Sequence, residues 1–192
     1  PNVYGFNIDN PKETYWLGLE DISTFSNYNT VVKKQEWTDK DIKQVLQDMA
    51  QFHALFYNYT KNLADFDFLH KRNSEQSIKL IPLIQALLDH HAREFSELYT
   101  KERITLLEDI IIVYEYIWTL LDEQPKTLIH NAFNPTNLAM RTSYETCIYD
   151  WETATIHIPQ HDLCEFLLFV LPTENFIEEQ QKYVDLYIEN LS

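Results

Sequence analysis

Between Thr127 and Trp151 the chain carries three short β-prone pieces set between polar residues, and this stretch constrains the fold more than any other. The pieces are Thr127-Leu128-Ile129, Asn137-Leu138-Ala139-Met140 and Thr146-Cys147-Ile148-Tyr149. They are too short to bury a core by themselves. On either side lie long segments whose apolar residues recur at three and four positions, the period of helices with one buried face. The implied class is mainly α with a small β ribbon, an α+β lobe. The ribbon also suggests chemistry. Asn137 and Asp150 sit at ends of these strands and offer an amide oxygen and a carboxylate. Such hard oxygen donors suit a small divalent cation such as Mg²⁺, which fills its remaining positions with water and substrate phosphates.

The residues around this ribbon carry a resemblance. The run His130-Asn131-Ala132, followed after four residues by Asn137, then Tyr149-Asp150-Trp151-Glu152, Pro159 and Asp162-Leu163, is similar to the aminoglycoside phosphotransferase and choline kinase family. That family reads His-Gly-Asp-x-x-x-x-Asn in its catalytic loop and Ile-Asp-Trp-Glu at its metal strand, with Pro and Asp-Leu further on. The resemblance implies the helical carboxy-terminal lobe of a protein-kinase-like fold. It also implies Mg²⁺ and ATP, or another nucleoside triphosphate, as cofactors. Asn137 and Asp150 would be the metal ligands and would meet the nucleotide phosphates through the ion. His130 and position 132 would belong to the catalytic loop, and Asp162 would be the buried acid that braces it.

One position departs from the pattern in a way that bears on activity. The family's catalytic Asp, which takes or orients the proton of the attacking hydroxyl, falls on Ala132. A methyl group accepts neither a proton nor a hydrogen bond. Asn131 in place of Gly is a milder change, because Asn tolerates unusual backbone angles better than most residues.

Upstream, Thr14 to Ile22 reads as a strand running into a polar turn, after an irregular start over residues 1 to 12. In the family this Leu-Glu-Asp-Leu-like stretch is the hinge between two lobes, where backbone groups near Glu20 and Ile22 would meet an adenine; an ordinary edge strand is the other reading. On the hinge reading residues 1–22 are the hinge strand with its lead-in, and residues 23–192 are the phosphotransferase-like lobe. The amino-terminal lobe would then be absent from this chain and be supplied in cis or in trans. The chain starts at Pro1 and lacks the usual last helices, which points to a fragment.

Helices fill the rest. Thr38 is placed to cap a helix with Asp39 and Asp41 in its first turn, and Ile42, Val45, Leu46, Met49, His53 and Phe56 mark its buried face as far as about Tyr59. His53 reads as a core histidine with its hydrogen bonds satisfied. Residues 60 to 73 read as a connection. The segment from Ser74 to Tyr99 turns Ile78, Ile81, Ile84, Leu88, His91 and Phe95 inward, with Pro82 at a kink or in the first turn of a helix. His90 and His91, about 100° apart around a helix, cannot easily share an ion. Arg103 to Gln124 is apolar on most sides and is expected to be the most enclosed helix. After Pro159, a helix to Leu171 buries Leu163, Phe166, Leu167 and Val170. A last acidic helix buries Phe176, Tyr183, Val184 and Tyr187.

Charge and composition narrow the partners. Thirty acids against fifteen bases give a net charge of −15, which argues against a nucleic-acid surface and tilts toward a cationic or basic-peptide substrate. No apolar run reaches membrane-spanning length. The chain has only two glycines, Gly5 and Gly18, and neither belongs to a P-loop or dinucleotide fingerprint. Cys147 and Cys164 are expected as buried free thiols in a reducing, cytoplasmic setting. Two functions remain in view. One is an ATP-dependent phosphotransferase with a small-molecule or peptide hydroxyl acceptor, inactivated here by Ala132. The alternative is a natural pseudokinase that binds nucleotide or a partner without transfer.

Overall fold

The computed structural model describes residues 1–27, 37–58, 69–71 and 73–191. The ribbon at its centre is β5 (Leu138–Met140) against β6 (Thr146–Ile148), antiparallel with Leu138 opposite Ile148. Both faces of β5 are buried, and the two-residue period of a strand divides its side chains between two cores. Leu138 and Met140 enter the main core, whereas Ala139 joins its partner Cys147 and Ile22 in a smaller cluster flanked by Phe25 and Tyr149.

The main core is built by three helices. The first, α1 (Asp39–Phe56), opens with a reciprocal capping box between Thr38 and Asp41 and buries Ile42, Val45, Leu46, Met49, Ala50 and His53. The last two helices cover it: Gln160–Val170 supplies Leu163, Phe166, Leu167 and Val170, and Phe176–Leu191 supplies Tyr183 and Tyr187. The Tyr183 hydroxyl donates to Asp39 at 2.9 Å, and burial with that neighbouring carboxylate pushes the phenol well above its usual range.

Several segments differ from the sequence-based reading. Residues 1–12 are not irregular: β1 (Val3–Asp9) pairs antiparallel with β2 (Thr14–Leu19). The turn between them carries Glu13 in the left-handed region, φ 51°. This hairpin leaves one face apolar and exposed, with Phe6 opposite Leu17 and Ile8 opposite Tyr15, while the other face carries Gly5, Asn7 and Asp9 with Trp16. Residues 60–68 and 72, like 28–36, lie outside the described residues. Within that connection His70–Lys71 forms β3, parallel to β7 (Thr155–His157), which pairs on its other edge with β4 (Thr127–Ile129).

Ser74–Ile78 (α2) and Ile81–Glu94 (α3) are separate helices, with Pro82 in the first turn of α3 as its fixed φ allows. Of the side chains expected inward here only Leu88 is fully buried, and Phe95 is exposed. The largest departure is α4 (Lys101–Asp122), expected to be the most enclosed helix, which buries no residue. It packs against α2 and α3 and leaves Leu106, Ile112 and Tyr116 in solvent. An all-round apolar sequence states what a helix would bury, not whether a neighbour is there to bury it against. The final helices are numbered α5 (Gln160–Val170) and α6 (Phe176–Leu191). Both cysteines are free; Cys147 is buried as expected, but Cys164 is exposed on the outer side of α5.

A charged clamp joins the hairpin to the ribbon. The Arg141 guanidinium donates to both oxygens of Glu20, at 2.7 and 2.6 Å, and the Asn2 N–H donates to the same carboxylate at 2.8 Å. The paired Arg141 bonds first, and the Asn2 N–H next, draw the Glu20 carboxyl down to about 2. A carboxylate with a depressed folded-state value stabilises fully above the ordinary glutamate range, and the contribution is lost as pH falls through the folded value. A carboxyl-carbon NMR titration of Glu20 should therefore find its midpoint near 2. A midpoint in the ordinary range, about 4, would mean that the clamp is open in solution.

Candidate functional site

The loop between β4 and β5 is suspended from the first turns of α5. Asp162 is fully buried, and its Oδ2 accepts the His130 N–H at 2.7 Å while Oδ1 accepts the Asn131 N–H at 2.9 Å. Three residues on, and so on the same face of the helix, Glu165 accepts the Phe133 N–H and the Asn134 side-chain amide, each at 3.0 Å. Four donors of a loop that has no sheet partner are thereby satisfied. Phe133 anchors the loop by entering the core edge-on to Phe166.

Asn131 sits in the left-handed region at φ 65°, a conformation Asn accepts more readily than most side chains. Its amide donates to the Thr153 carbonyl at 3.0 Å, and the Thr153 hydroxyl returns a bond to the His130 carbonyl at 3.2 Å. His130 is buried under Trp151 and donates from Nε2 to the Tyr149 carbonyl at 2.8 Å. That bond ties the loop to the residue before Asp150. His130 Nδ1 and Asn131 Oδ1 are left buried without partners among the described residues.

The two oxygen donors singled out in the sequence lie at one end of the β5–β6 ribbon. The Tyr149 N–H donates to the Asn137 carbonyl at 3.1 Å, continuing the strand register one pair beyond Leu138 and Ile148 and placing Asp150 next in line. The Asn137 amide nitrogen donates to the Ala132 carbonyl at 2.9 Å, which leaves its Oδ1 as the uncommitted end of the side chain. Asp150 is exposed and takes the left-handed conformation at φ 62°, so the strand alternation breaks there. Its carboxylate has no hydrogen bond or ion pair among the described residues. An amide oxygen and a carboxylate without protein partners are chemically what a Mg²⁺ ion requires, so the residues fit the metal that the motif implies. Ala132, five residues before Asn137 and half-buried, presents only its methyl group.

In the stretch expected as a hinge or an edge strand, the Ile22 side chain is buried beneath the ribbon, and the Ile22 carbonyl accepts the Phe25 N–H at 3.0 Å. The Glu20 N–H is bonded to the Asn2 carbonyl at 2.8 Å. The Glu20 carbonyl and the Ile22 N–H have no partner among the described residues, an acceptor and a donor two residues apart.

His53 is fully buried, with Nδ1 2.7 Å from the Tyr187 hydroxyl and Nε2 3.3 Å from Asp162 Oδ2. His90 is exposed and engaged with Arg93 rather than sharing a site with His91. Sequence reasoning did not single out Glu165, Asn134 or Thr153. The signal for Glu165 was available, since two acids three apart at the start of an otherwise apolar helix need a common partner. His161, Asp162 and Glu165 lie within metal-binding distance of one another. Both carboxylates there are already taken up by loop donors, so their closeness is accounted for by the loop.

Among the described residues no helix is long and apolar enough to cross a membrane. A comparison with curated proteins finds no match. The profile of ecdysteroid kinase-like proteins, by contrast, matches residues 1–192, the whole of the chain, and the chain therefore belongs to the ecdysteroid kinase-like family.

Proposed function

We propose that this chain is the nucleotide- and metal-binding lobe of an ATP-dependent phosphotransferase whose acceptor is a small-molecule hydroxyl. The observation that carries the reading is the pair at the ribbon end: Asn137, with its amide oriented by the Ala132 carbonyl, and the unpartnered Asp150. These two residues would hold Mg²⁺, which when bound neutralises phosphate charge during transfer. The chain's own part is positional. The Glu20 carbonyl and Ile22 N–H would take the adenine edge, and Asp162 and Glu165 would keep the loop, with His130 in it, in place for the acceptor.

The motif spacing shared with aminoglycoside phosphotransferases and choline kinases supports the same assignment. The family name brings ecdysteroid-like hydroxyls among the acceptors, while the net charge of −15 favours a cationic one. The exposed apolar face of the hairpin β1–β2 supports a further lobe, from the same polypeptide or a partner, packing on this sheet.

Ala132 favours a second reading, in which the domain binds nucleotide and a partner but transfers nothing. Both readings require nucleotide binding. Saturating ATP with Mg²⁺, at about a hundred times its dissociation constant, should stabilise the fold by about 2.7 kcal/mol. The gain should vanish with a chelator or in Asp150→Asn. An unchanged melting temperature in a chain that includes the further lobe would remove both readings.

A further inference from the structure

A line of buried polar groups runs from the last helix to the loop. Asp162 serves as acceptor for two backbone N–H groups, at 2.7 and 2.9 Å. The third group facing it, His53 Nε2 at 3.3 Å, must therefore be the donor. In neutral imidazole the other nitrogen then carries a lone pair, and the group 2.7 Å from Nδ1 is the Tyr187 hydroxyl, which has a proton to give. The His53 carbonyl is itself fixed by the Thr127 hydroxyl at 2.7 Å, at the start of the strand that feeds the loop. Tyr187, His53, Asp162 and His130 are all buried.

We propose that Tyr187 is a positioning residue for the loop, acting through His53 to hold the Asp162 carboxylate against the His130 and Asn131 N–H groups. The hydroxyl fixes the imidazole tautomer, the tautomer fixes the donor aimed at Asp162, and the carboxylate fixes the loop backbone. Helix α6, remote in sequence from the ribbon, thereby determines how firmly residues 130 and 131 are held. The proposal rests on the loop being the one that positions an acceptor, but its test does not depend on phosphoryl transfer.

The test compares Tyr187→Phe with Val184→Ala, a half-buried α6 position packed on the same core without a bond to the relay, in the full chain. At matched global stability, Tyr187→Phe should raise hydrogen exchange at the His130 and Asn131 amides by about tenfold over Val184→Ala. It should also move the His53 ring-nitrogen resonances. Equal exchange in the two variants would overturn the proposal. If Tyr187→Phe does not fold, the ¹⁵N spectrum of the unmodified chain decides: His53 protonated at Nε2 with Nδ1 as acceptor supports the relay, and the Nδ1–H tautomer or an imidazolium refutes it. Loss of nucleotide binding with the relay intact would count against the function proposed above and leave this inference standing.

Discussion

Replacing Ala132 with Asp, in a chain that carries both lobes, should produce Mg²⁺-dependent transfer of phosphate from ATP to a hydroxyl. The gain over the Ala132 chain should be roughly 10²- to 10⁴-fold, the usual contribution of a positioned general base. The loop around that position is held by bonds that do not involve its side chain. Its backbone carbonyl is gripped by the Asn137 amide at 2.9 Å, and the flanking N–H groups are held by Asp162 and Glu165. Position 132 is only half-buried, so a carboxylate there meets no packing penalty comparable to a core insertion. The measurement is turnover with the acceptor saturating, alongside Ala132→Asn, which matches the size of Asp and cannot take a proton. Equal rates in the Asp and Asn variants, with nucleotide bound in both, would exclude the phosphotransferase reading and leave binding without transfer.

The largest effect on stability should come from Asp162→Ala. The substitution strips two buried backbone N–H groups of their acceptor and leaves His53 Nε2 facing a void. Breaking a buried, multiply bonded carboxylate costs on the order of 3–5 kcal/mol, a large part of the roughly 5–15 kcal/mol that holds a domain of this size together. In a chain of this length that corresponds to a fall of roughly 6–20 °C in Tm. Glu152→Ala, at an exposed acid with no partner among the described residues, should change stability by less than about 0.5 kcal/mol. A similar small change for Asp162→Ala would mean that the loop is not suspended from α5.

How much of this could be read beforehand depended on whether the cause was local. The helix α1 followed from its cap and its three-and-four spacing, and the buried residues of α5 likewise, because amphipathic period and end chemistry are written in adjacent residues. The placing of Asn137 and Asp150 at one end of the ribbon, and of Asp162 against the loop backbone, followed from motif spacing, which stands in for tertiary proximity. Glu165 was missed although its spacing from Asp162 was visible, since what it binds lies about thirty residues upstream in the loop. β1 was missed although Tyr4, Phe6 and Ile8 alternate with Gly5, Asn7 and Asp9, because the intervening turn-forming residue types read as loop, and β3 because two residues carry no period at all. The error over α4 had another origin. Its composition was read correctly as apolar, but enclosure is a property of the neighbours.

Helix α4 also has a practical consequence. A folded protein that presents Leu106, Ile112 and Tyr116 to water from one helix offers adsorption sites to any amphiphilic reporter before a single residue has unfolded. Melting curves recorded with such dyes would begin bright and flatten, imitating a partly collapsed state. Intrinsic fluorescence or calorimetry would report the true transition, and a mild, non-denaturing detergent should alter the dye signal without moving the calorimetric one.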